Sequence, residues 1–535
     1  MKEKIIGKGT WLDKVADNII AREQKLGRNL DLLKVESGLG ASGIPHIGSM
    51  GDAVRAYGIS LALQNLGFKS ELITYSDDMD GLRKIPSGFP SWLEEYIAQP
   101  VSTIPDPFGE CHTSYANHMS GLLSDSLDKA GVKYIFKSAS DIYKSGILNN
   151  EIDCILRNKE ILGQKISSLV GQDKYIDILP YFPICDCCKK LYVAHSEKYL
   201  STEKKIIYKC SGTKIGNREV QGCGYSGETS IDKGKGKLAW KVEFACRWKA
   251  LDIRFEAYGK DIMDSVRVND WVCSSLLNFP HPLHVKYEMF LDKIGKKISK
   301  STGNVLTPQM WLTYGSPESL QLLLYKRISG TRHIGLTDIP ALMDEYDYYE
   351  DCYFNKIKEN NISKLLKFKG IYEYINKLNP PVKGTKHIPY RILVQQASLF
   401  DGEDRSDKIF QRLKKYSLVE EKTNDLINKI TLASRWCDEL ISEDIIPISL
   451  NDIERNALLD LLSEFKILME TDSDQLADQI QTRIFEISRK HKVQPRSFFK
   501  LLYQILINSD RGPKLGNYIE DLGLHRTCQI IKKYI

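Results

Sequence analysis

Three groups of residues carry chemistry by their types and spacing. The first is Pro45-His46-Ile47-Gly48-Ser49, at the end of a glycine-rich loop that runs into a helix. Exposed N–H groups at a helix start attract anions, and an imidazole there can donate to a phosphoryl group as charge develops on it. Gly48 leaves the backbone open to a phosphate or a base. The second is Gly295-Lys296-Lys297-Ile298-Ser299-Lys300-Ser301-Thr302-Gly303-Asn304, lysines spaced by small polar residues between two glycine hinges. Such a cationic loop can close over a triphosphate and stabilise transition-state charge without covalent chemistry. Alone, the first motif reads as a capping turn with a surface histidine and the second competes with a solvated basic loop, but the two together are specific. The third is the knuckle Cys185-x2-Cys188 followed by Cys210 and Cys223, a donor set for a tetrahedral zinc ribbon, with Cys187 or His195 as alternative ligands. Four protein ligands leave no open position, so the site reads as structural. The other cysteines, Cys111, Cys154, Cys246, Cys273, Cys352, Cys437 and Cys528, are scattered and read as packing residues.

The elements that position these groups are legible in outline. Leu32-Leu33-Lys34-Val35 predicts a first strand, Gly38-Leu39-Gly40-Ala41-Ser42-Gly43 a loop, Val54, Tyr57, Leu61 and Leu66 a helix stopped by Gly67, and Leu72-Ile73-Thr74-Tyr75 a second strand. That is a βαβ unit, with its loop at the carboxyl end of the first strand, where open α/β sheets bind ligands. The cysteine-, glycine- and lysine-rich stretch 181–237 interrupts the rhythm as an inserted module. The sheet is expected to resume around Arg254-Phe255-Glu256-Ala257-Tyr258 and the turn Gly259-Lys260-Asp261. Beyond Ser316-Pro317, an N-cap with proline at the first helical position, the texture becomes helical. There Asp472 and Gln475 resemble a capping box ahead of the apolar face Leu476, Ile480, Ile484, Ile487.

Composition bounds the class. The chain has 535 residues, 42% hydrophobic and 27% charged, with a net charge of +6, which excludes long disorder and suggests several folding units. No stretch approaches a membrane span and no signal-peptide pattern opens the chain, so a cytoplasmic location is expected, where clustered thiols hold metal rather than form disulfides.

With these residues in view, the sequence resembles the class I aminoacyl-tRNA synthetases. His46-Ile47-Gly48-Ser49 matches their first signature with serine for the final histidine, and Lys297-Ile298-Ser299-Lys300-Ser301 the second with isoleucine for methionine. The run from Glu36 to Gly48, the run Ser76-Asp77-Asp78-Met79-Asp80-Gly81-Leu82-Arg83-Lys84-Ile85-Pro86, Pro105-Asp106-Pro107-Phe108-Gly109, Gly259-Lys260-Asp261 and Arg511-Gly512-Pro513-Lys514-Leu515-Gly516 are similar to the class I lysyl-tRNA synthetases. The resemblance implies an α/β fold: a Rossmann-type nucleotide-binding domain in two parts, 1–180 and 238–305, split by a zinc-ribbon-like insertion at 181–237. A stem-contact linker at 306–350 and an all-α anticodon-binding domain at 351–535 would follow.

It also implies the reaction. Lysine and ATP, carried with Mg2+, give lysyl-adenylate and diphosphate, and the lysyl group then passes to lysine tRNA. His46, Lys297 and Lys300 would be catalytic, and Ser42, Pro45, His46, Gly48, Ser49, Gly259, Asp261, Lys297, Ser299, Lys300 and Ser301 would bind ATP. A lysine pocket needs an anion for the ammonium and a wall for the aliphatic stem, for which Glu36, Asp77, Asp80, Trp240 and Tyr258 are the candidates; Asp77, Asp78 and Asp80 read equally as partners of Arg83 and Lys84 or as a helix cap. The zinc would be structural at Cys185, Cys188, Cys210 and Cys223. Partners would be lysine tRNA, lysine and ATP, with no membrane and no obligate protein partner evident. In the helical tail, Arg483, Arg489, Lys490, His491, Lys492 and Arg496 with Phe498 and Phe499 read either as an RNA-facing surface or as a solvated face over core aromatics. Two alternatives remain beside the main reading: a class I synthetase for glutamate, and a non-catalytic tRNA-binding paralogue.

Overall fold

Strand β1 (Leu33–Leu39) follows helix α1 (Trp11–Lys25), which Thr10 and Asp13 start with a reciprocal capping box. After β1 come α2 (Ile47–Asn65), β2 (Ser70–Ser76), α3 (Tyr115–Lys129) and β3 (Ile135–Ser138), then four short helices, α4 (Ala139–Lys144), α5 (Asn149–Arg157), α6 (Lys159–Val170) and α7 (Lys174–Asp177). This computed structural model describes residues 5–288, 290–296, 305–440, 448–470, 475–507 and 514–535. Seven short strands follow between Tyr181 and Leu238: β4 (Tyr181–Pro183), β5 (Ala194–Leu200), β6 (Lys205–Cys210), β7 (Thr213–Ile215), β8 (Arg218–Val220), β9 (Ser226–Ser230) and β10 (Gly236–Leu238). They pair antiparallel as β4 with β10, β5-β6-β9, and the hairpin β7-β8. The chain then returns through α8 (Trp240–Leu251), β11 (Ile253–Gly259), α9 (Met263–Ser275) and β12 (Leu283–Tyr287).

The central sheet has the order β12-β11-β1-β2-β3, parallel throughout. Connections run outward from β1 in one direction and from β11 in the other, so the carboxyl ends of these two strands form the switch point at which open α/β sheets bind ligands. Being parallel and covered on both faces, the sheet buries its middle strands almost completely. β1 is longer than predicted. Gly38 and Leu39, read as loop, pair with Tyr75 and Ser76 of β2, because a strand flanked on both sides keeps its ladder even at a glycine. Helix α2 is buried around most of its circumference, packed on α1 and the sheet.

The chain divides into two compact units, 1–387 and 388–535. The first also holds β13 (Phe290–Leu291), α10 (Pro308–Tyr314), α11 (Pro317–Tyr325), β14 (Arg332–His333), α12 (Ile339–Tyr353) and α13 (Ile362–Ile375). Ser316 caps α11 by accepting from the Ser319 N–H, as predicted. Position 351, where the helical domain was expected to begin, falls inside α12, and α13 belongs with α11 and α12. Its Ile371, Tyr372 and Ile375 are buried, and the Tyr372 hydroxyl donates to Glu350 at 3.0 Å. The second unit, among the described residues, consists of helices α14 (Tyr390–Ala397), α15 (Arg405–Lys415), α16 (Asn424–Leu440), α17 (Asp452–Met469), α18 (Leu476–Lys490), α19 (Pro495–Ile507), α20 (Leu515–Leu522) and α21 (Leu524–Lys532). Ile480, Ile484 and Ile487 face its core as the periodicity predicts; Asp472 lies outside the described residues. Phe498 is a core residue there, so it offers no stacking surface, while Phe499 packs against Phe485 with ring centroids 4.7 Å apart. Lys490 and His491 both pair with Asp460 at 2.7 Å. No helix among the described residues is long and apolar enough to cross a membrane.

Candidate active site and metal-binding residues

His46 is the N-cap of α2, and its Nδ1 accepts from the Ser49 N–H at 3.0 Å, with the Ser49 hydroxyl 3.3 Å away. An accepting Nδ1 places the proton of the neutral ring on Nε2. Gly48 serves a purpose the sequence did not reveal. A Cβ there would stand 2.8 Å from His46 Cε1 and 2.9 Å from Nδ1, so the open face of the glycine is filled by the histidine ring rather than kept clear for a ligand. Pro45 is buried, Gly48 and Ser49 are half-buried, and Ser42 is exposed, its carbonyl accepting from the Tyr115 hydroxyl at 3.0 Å.

On the adjacent strand, Gly259 ends β11 and Asp261 lies in the turn Lys260–Ile262. A Cβ at Gly259 would be 2.7 Å from Asp261 Oδ1, which explains the glycine. Asp261 and Asp52, one turn into α2, feel each other's charge; burial, opposed by the Tyr287 hydroxyl and Arg55, pushes the Asp52 carboxyl up to about 7. Lys297, Ser299, Lys300 and Ser301 lie outside the described residues. Their flanks are anchored: a turn at Asp292–Lys296 closes with Lys296 O accepting from Asp292 N at 2.8 Å, and Leu306 O accepts from Ile47 N at 2.9 Å, beside His46.

Two of the carboxylates chosen for the substrate ammonium, Glu36 and Asp77, fall into one buried network. Glu36 on β1 stands opposite Glu256 on β11, and Arg247 of α8 spans them, with Nε 2.5 Å from Glu36, Nη2 3.1 Å from Glu256 and Nη1 3.6 Å from Asp77. The guanidinium also lies over the Tyr75 ring at 4.3 Å. Burial pushes the Glu36 carboxyl well up against the pull of Arg247, and burial, again opposed by Arg247, raises Asp77 to about 8. Asp80 lies nearby in a second cluster. Lys237, fully buried on β10, has Nζ 2.5 Å from Asp80 and 2.9 Å from Glu243, and the Trp240 indole N–H donates to Asp80 at 3.2 Å. Asp78 accepts instead from the Ser140 N–H at 2.7 Å, at the start of α4, so the helix-cap alternative holds for it. Tyr258 packs edge-on to His284 at 5.6 Å.

Arg247, Glu256, Lys237, Glu243 and Asp52 were not singled out from the sequence. Glu243 and Arg247 are spaced as an ordinary exposed i, i+4 pair; only the sheet packed beneath α8 buries them.

Four sulfurs, those of Cys185, Cys188, Cys210 and Cys223, lie within 4.8 Å of one another, with Cys185–Cys223 at 3.6 Å and Cys188–Cys210 at 3.7 Å. Zinc–thiolate bonds of about 2.3 Å in a tetrahedron require sulfurs about 3.8 Å apart, so the donor set fits. The Cys223 N–H donates to Cys210 Sγ at 3.3 Å. His195 turns away, its Nε2 2.6 Å from the Gly212 carbonyl. A second donor set gathers Asp106, Cys111, His112 and His118, also within 4.8 Å, with His118 Nδ1 2.9 Å from Asp106 and the Cys111 thiol 3.2 Å from it. Burial works to raise Asp106, but the Phe108 N–H, His118, Cys111 and the His112 N–H hold it at about 2. Cys111 is therefore not the packing residue predicted; it is exposed and faces oxygen and nitrogen donors, whereas Cys246, Cys273, Cys352, Cys437 and Cys528 are buried as expected. The D-x4-C-H-x5-H spacing was the available signal.

Residues 9–377 match the family model for class I tRNA synthetases of the lysine type, tRNA synthetases class I (K). The chain belongs to the class I lysyl-tRNA synthetases. It is 48% identical over 530 residues to the lysine--tRNA ligase of Cenarchaeum symbiosum (strain A), covering 99% of each chain, and 31% identical over 504 residues to that of Rickettsia bellii (strain OSU 85-389), covering 93% of this chain and 92% of the other.

Proposed function

We infer that the carboxyl edge of the central sheet carries out ATP-dependent attachment of lysine to its tRNA. The lysine carboxylate attacks the α-phosphorus of ATP, held with Mg2+; the bond to the β-phosphate oxygen breaks, diphosphate leaves, and the adenylate's acyl carbon is then taken by a hydroxyl of the terminal tRNA ribose with release of AMP. His46 Nε2–H is the donor to the phosphate as its charge grows, and Lys297 and Lys300 meet the leaving diphosphate, with Ser299 and Ser301 assisting from the same loop. Ser42, Pro45 and Ser49, with the backbone of Gly48, form the phosphate-side wall, while Gly259 and Asp261 hold the adenosine. This is catalysis by positioning and electrostatics.

The observation that carries the choice of amino acid is the sign of the buried charge. Among the described residues, Glu36, Asp77, Glu256, Asp80 and Glu243 have Arg247 and Lys237 as their cations. Such a surplus suits an ammonium and opposes the carboxylate of glutamate. Asp77, Asp80 and Glu36 are the anions of the lysine pocket, Trp240 and Tyr258 its aromatic walls. The insertion is a zinc ribbon with the metal on Cys185, Cys188, Cys210 and Cys223, a structural site, and the helical second unit reads the anticodon. Charging of lysine tRNA with lysine and with glutamate, by the wild type and by His46→Ala and Lys300→Ala, tests the reading. Lysine alone is expected to be charged, with each substitution costing about 2.7–4 kcal/mol of barrier, as for a lost oxyanion donor. Charging of glutamate, or full activity without Lys300, would overturn it.

A further inference from the structure

A third group of metal-binding side chains gathers outside the cysteine cluster and the Asp106 set. Asp270 sits on α9, His281 in the loop that leaves it, and His284 on β12, the edge strand of the central sheet. One donor atom from each lies within 4.8 Å of the others, and all three residues are half-buried, so water can complete a coordination shell. His284 Nε2 is 3.0 Å and His281 Nδ1 3.6 Å from the same Asp270 oxygen. A tetrahedron with bonds of about 2.0–2.2 Å to nitrogen and oxygen sets its donors about 3.4 Å apart, a separation that these two distances bracket.

The hydrogen bonds of His284 fix its tautomer. Its Nδ1 lies 2.8 Å from the Glu256 carbonyl, which can only accept, so that nitrogen carries a proton. In the neutral ring Nε2 is then a bare lone pair aimed at a carboxylate oxygen, and two acceptors at 3.0 Å need a positive charge between them. A proton would serve His284 alone. The His281 ring lies parallel to it, 5.6 Å away between centroids, and burial keeps its imidazole below the usual value against the opposing pull of Asp270. A divalent ion answers both rings and the carboxylate at once. His284 is also oriented as metal ligands are, with one nitrogen open to the ion and the other N–H fixed on a backbone carbonyl. Trp248 and Tyr258 hold its ring from the side, with centroids 5.0 and 5.6 Å away. His281 Nδ1 also faces the Pro282 carbonyl at 2.8 Å; binding a metal there moves the ring proton to Nε2 and gives up one ordinary hydrogen bond. We propose that Asp270, His281 and His284 bind one divalent ion of the zinc type, for which two imidazoles and a carboxylate are suited, and that this ion staples β12 to α9. The site is independent of the tRNA-charging reading.

The test counts metal in the full-length protein, with its thiolate zinc in place, after equilibration with buffered free Zn2+. The wild type is expected to hold one equivalent more than Asp270→Asn or His281→Ala. Each substitution should weaken that equivalent by more than about 100-fold, beyond the 10- to 100-fold that loss of a supporting group costs. Cobalt then locates the ion. Spectra are taken on zinc-loaded Cys111→Ser protein, so that the Asp106 set contributes no thiolate. Added Co2+ should give d–d bands without thiolate charge transfer, and a further His281→Cys substitution, which keeps a ligand, should bring that charge-transfer band in. Melts of the variants without added metal separate a lost ligand from a lost fold, and Zn2+ should raise the melting temperature of the wild type but not that of Asp270→Asn. Equal metal counts in wild type and variants, or a His281→Cys spectrum without the new band, would overturn the proposal and leave Asp270 and His284 an ordinary ion pair.

Discussion

Two neighbouring regions of the first unit carry opposite charge and are built by different means. The network around Arg247 joins β1, the end of β2, α8 and β11, all parts of the central sheet and its cover, and it holds a surplus of carboxylates. The open cavity of about 530 Å³ beside it, lined by Arg83, Lys174 and Lys241, takes further cations and aromatic walls from the insertion, through Phe182, Tyr192, Lys214 and Lys237. Both regions rest on hydrophobic cores, but the insertion, whose Val193, Tyr208 and Val220 pack with Leu82 and Tyr115, adds four sulfurs in bonding range of a metal. The pair Lys237–Asp80 belongs to both and marks their border. A single enzyme that must hold a cationic amino acid and an anionic RNA close together is served by this separation, since either charge alone would repel one of the two ligands.

The largest effect that separates the regions is loss of the metal. A thiolate zinc site in a small module supplies folding free energy on the order of 10 kcal/mol, so chelation or Cys185→Ser should open residues 185–225 to proteolysis. The Arg247 network should outlast it, seen as a retained near-ultraviolet signal from Trp248, whose indole N–H is held by Glu256. If both regions collapse together, the division drawn here is wrong. Metal content is expected to fall by one equivalent per chain in Cys185→Ser, and by a different equivalent in Cys111→Ser if the Asp106 set is also occupied.

Breaking the anionic region from within comes next. Arg247→Leu leaves Glu36 and Glu256 buried without their cation, at a cost of about 3–5 kcal/mol in denaturant unfolding. Adding Glu36→Gln should recover part of that loss, because it removes one of the stranded charges. A cost below about 1 kcal/mol would show that the carboxylates are neutral without Arg247. Lys237→Met strands the fully buried Glu243 and should cost about 3 kcal/mol, the lower end of that range, since Asp80 keeps the Trp240 indole N–H and Glu243 the Tyr143 hydroxyl.

How much of this was readable in the sequence depends on what fixes each feature. His46, the turn at Gly259 and the four clustered cysteines are set by local spacing, and all were legible. The βαβ unit was legible too, but β1 runs through Gly38 and Leu39 because pairing with β2 overrides a loop-like composition. Position 351 falls inside α12, and α13, which by its pattern looks like any other amphipathic helix, joins α11 and α12 in the first unit through its contacts. The charge networks were not legible at all. Arg247, Glu256, Lys237 and Glu243 are ordinary polar residues until the sheet, the insertion and α8 bury them together. At Gly48 the missing side chain makes room for the histidine two residues earlier, a use that local spacing does not reveal.

The finest difference between the regions lies in what each should sense. Burial raises Asp77 from 3.8 to about 8, so the folded protein holds a proton there that the unfolded chain releases. Its contribution to stability is therefore complete in acid, below 3.8, and is lost as pH climbs through about 8; Asp77→Asn should remove that decline, which one proton limits to about 1.4 kcal/mol per pH unit. A lysine ammonium docking beside Asp77 reverses the preference and favours the carboxylate. Lysine binding near pH 7 should then release up to one proton, and affinity should rise by up to about tenfold per pH unit until about 8 and then level off. Calorimetry in two buffers of different ionisation enthalpy measures the proton directly, and a wild type that releases none would remove Asp77 from the lysine pocket. The cationic cavity should behave in the opposite way over the same range. Binding that depends on its arginine and lysines should respond steeply to salt, and a proton taken up or released with tRNA trimmed of its unpaired 3′ nucleotides, against intact tRNA, would mean that the two regions are coupled rather than divided.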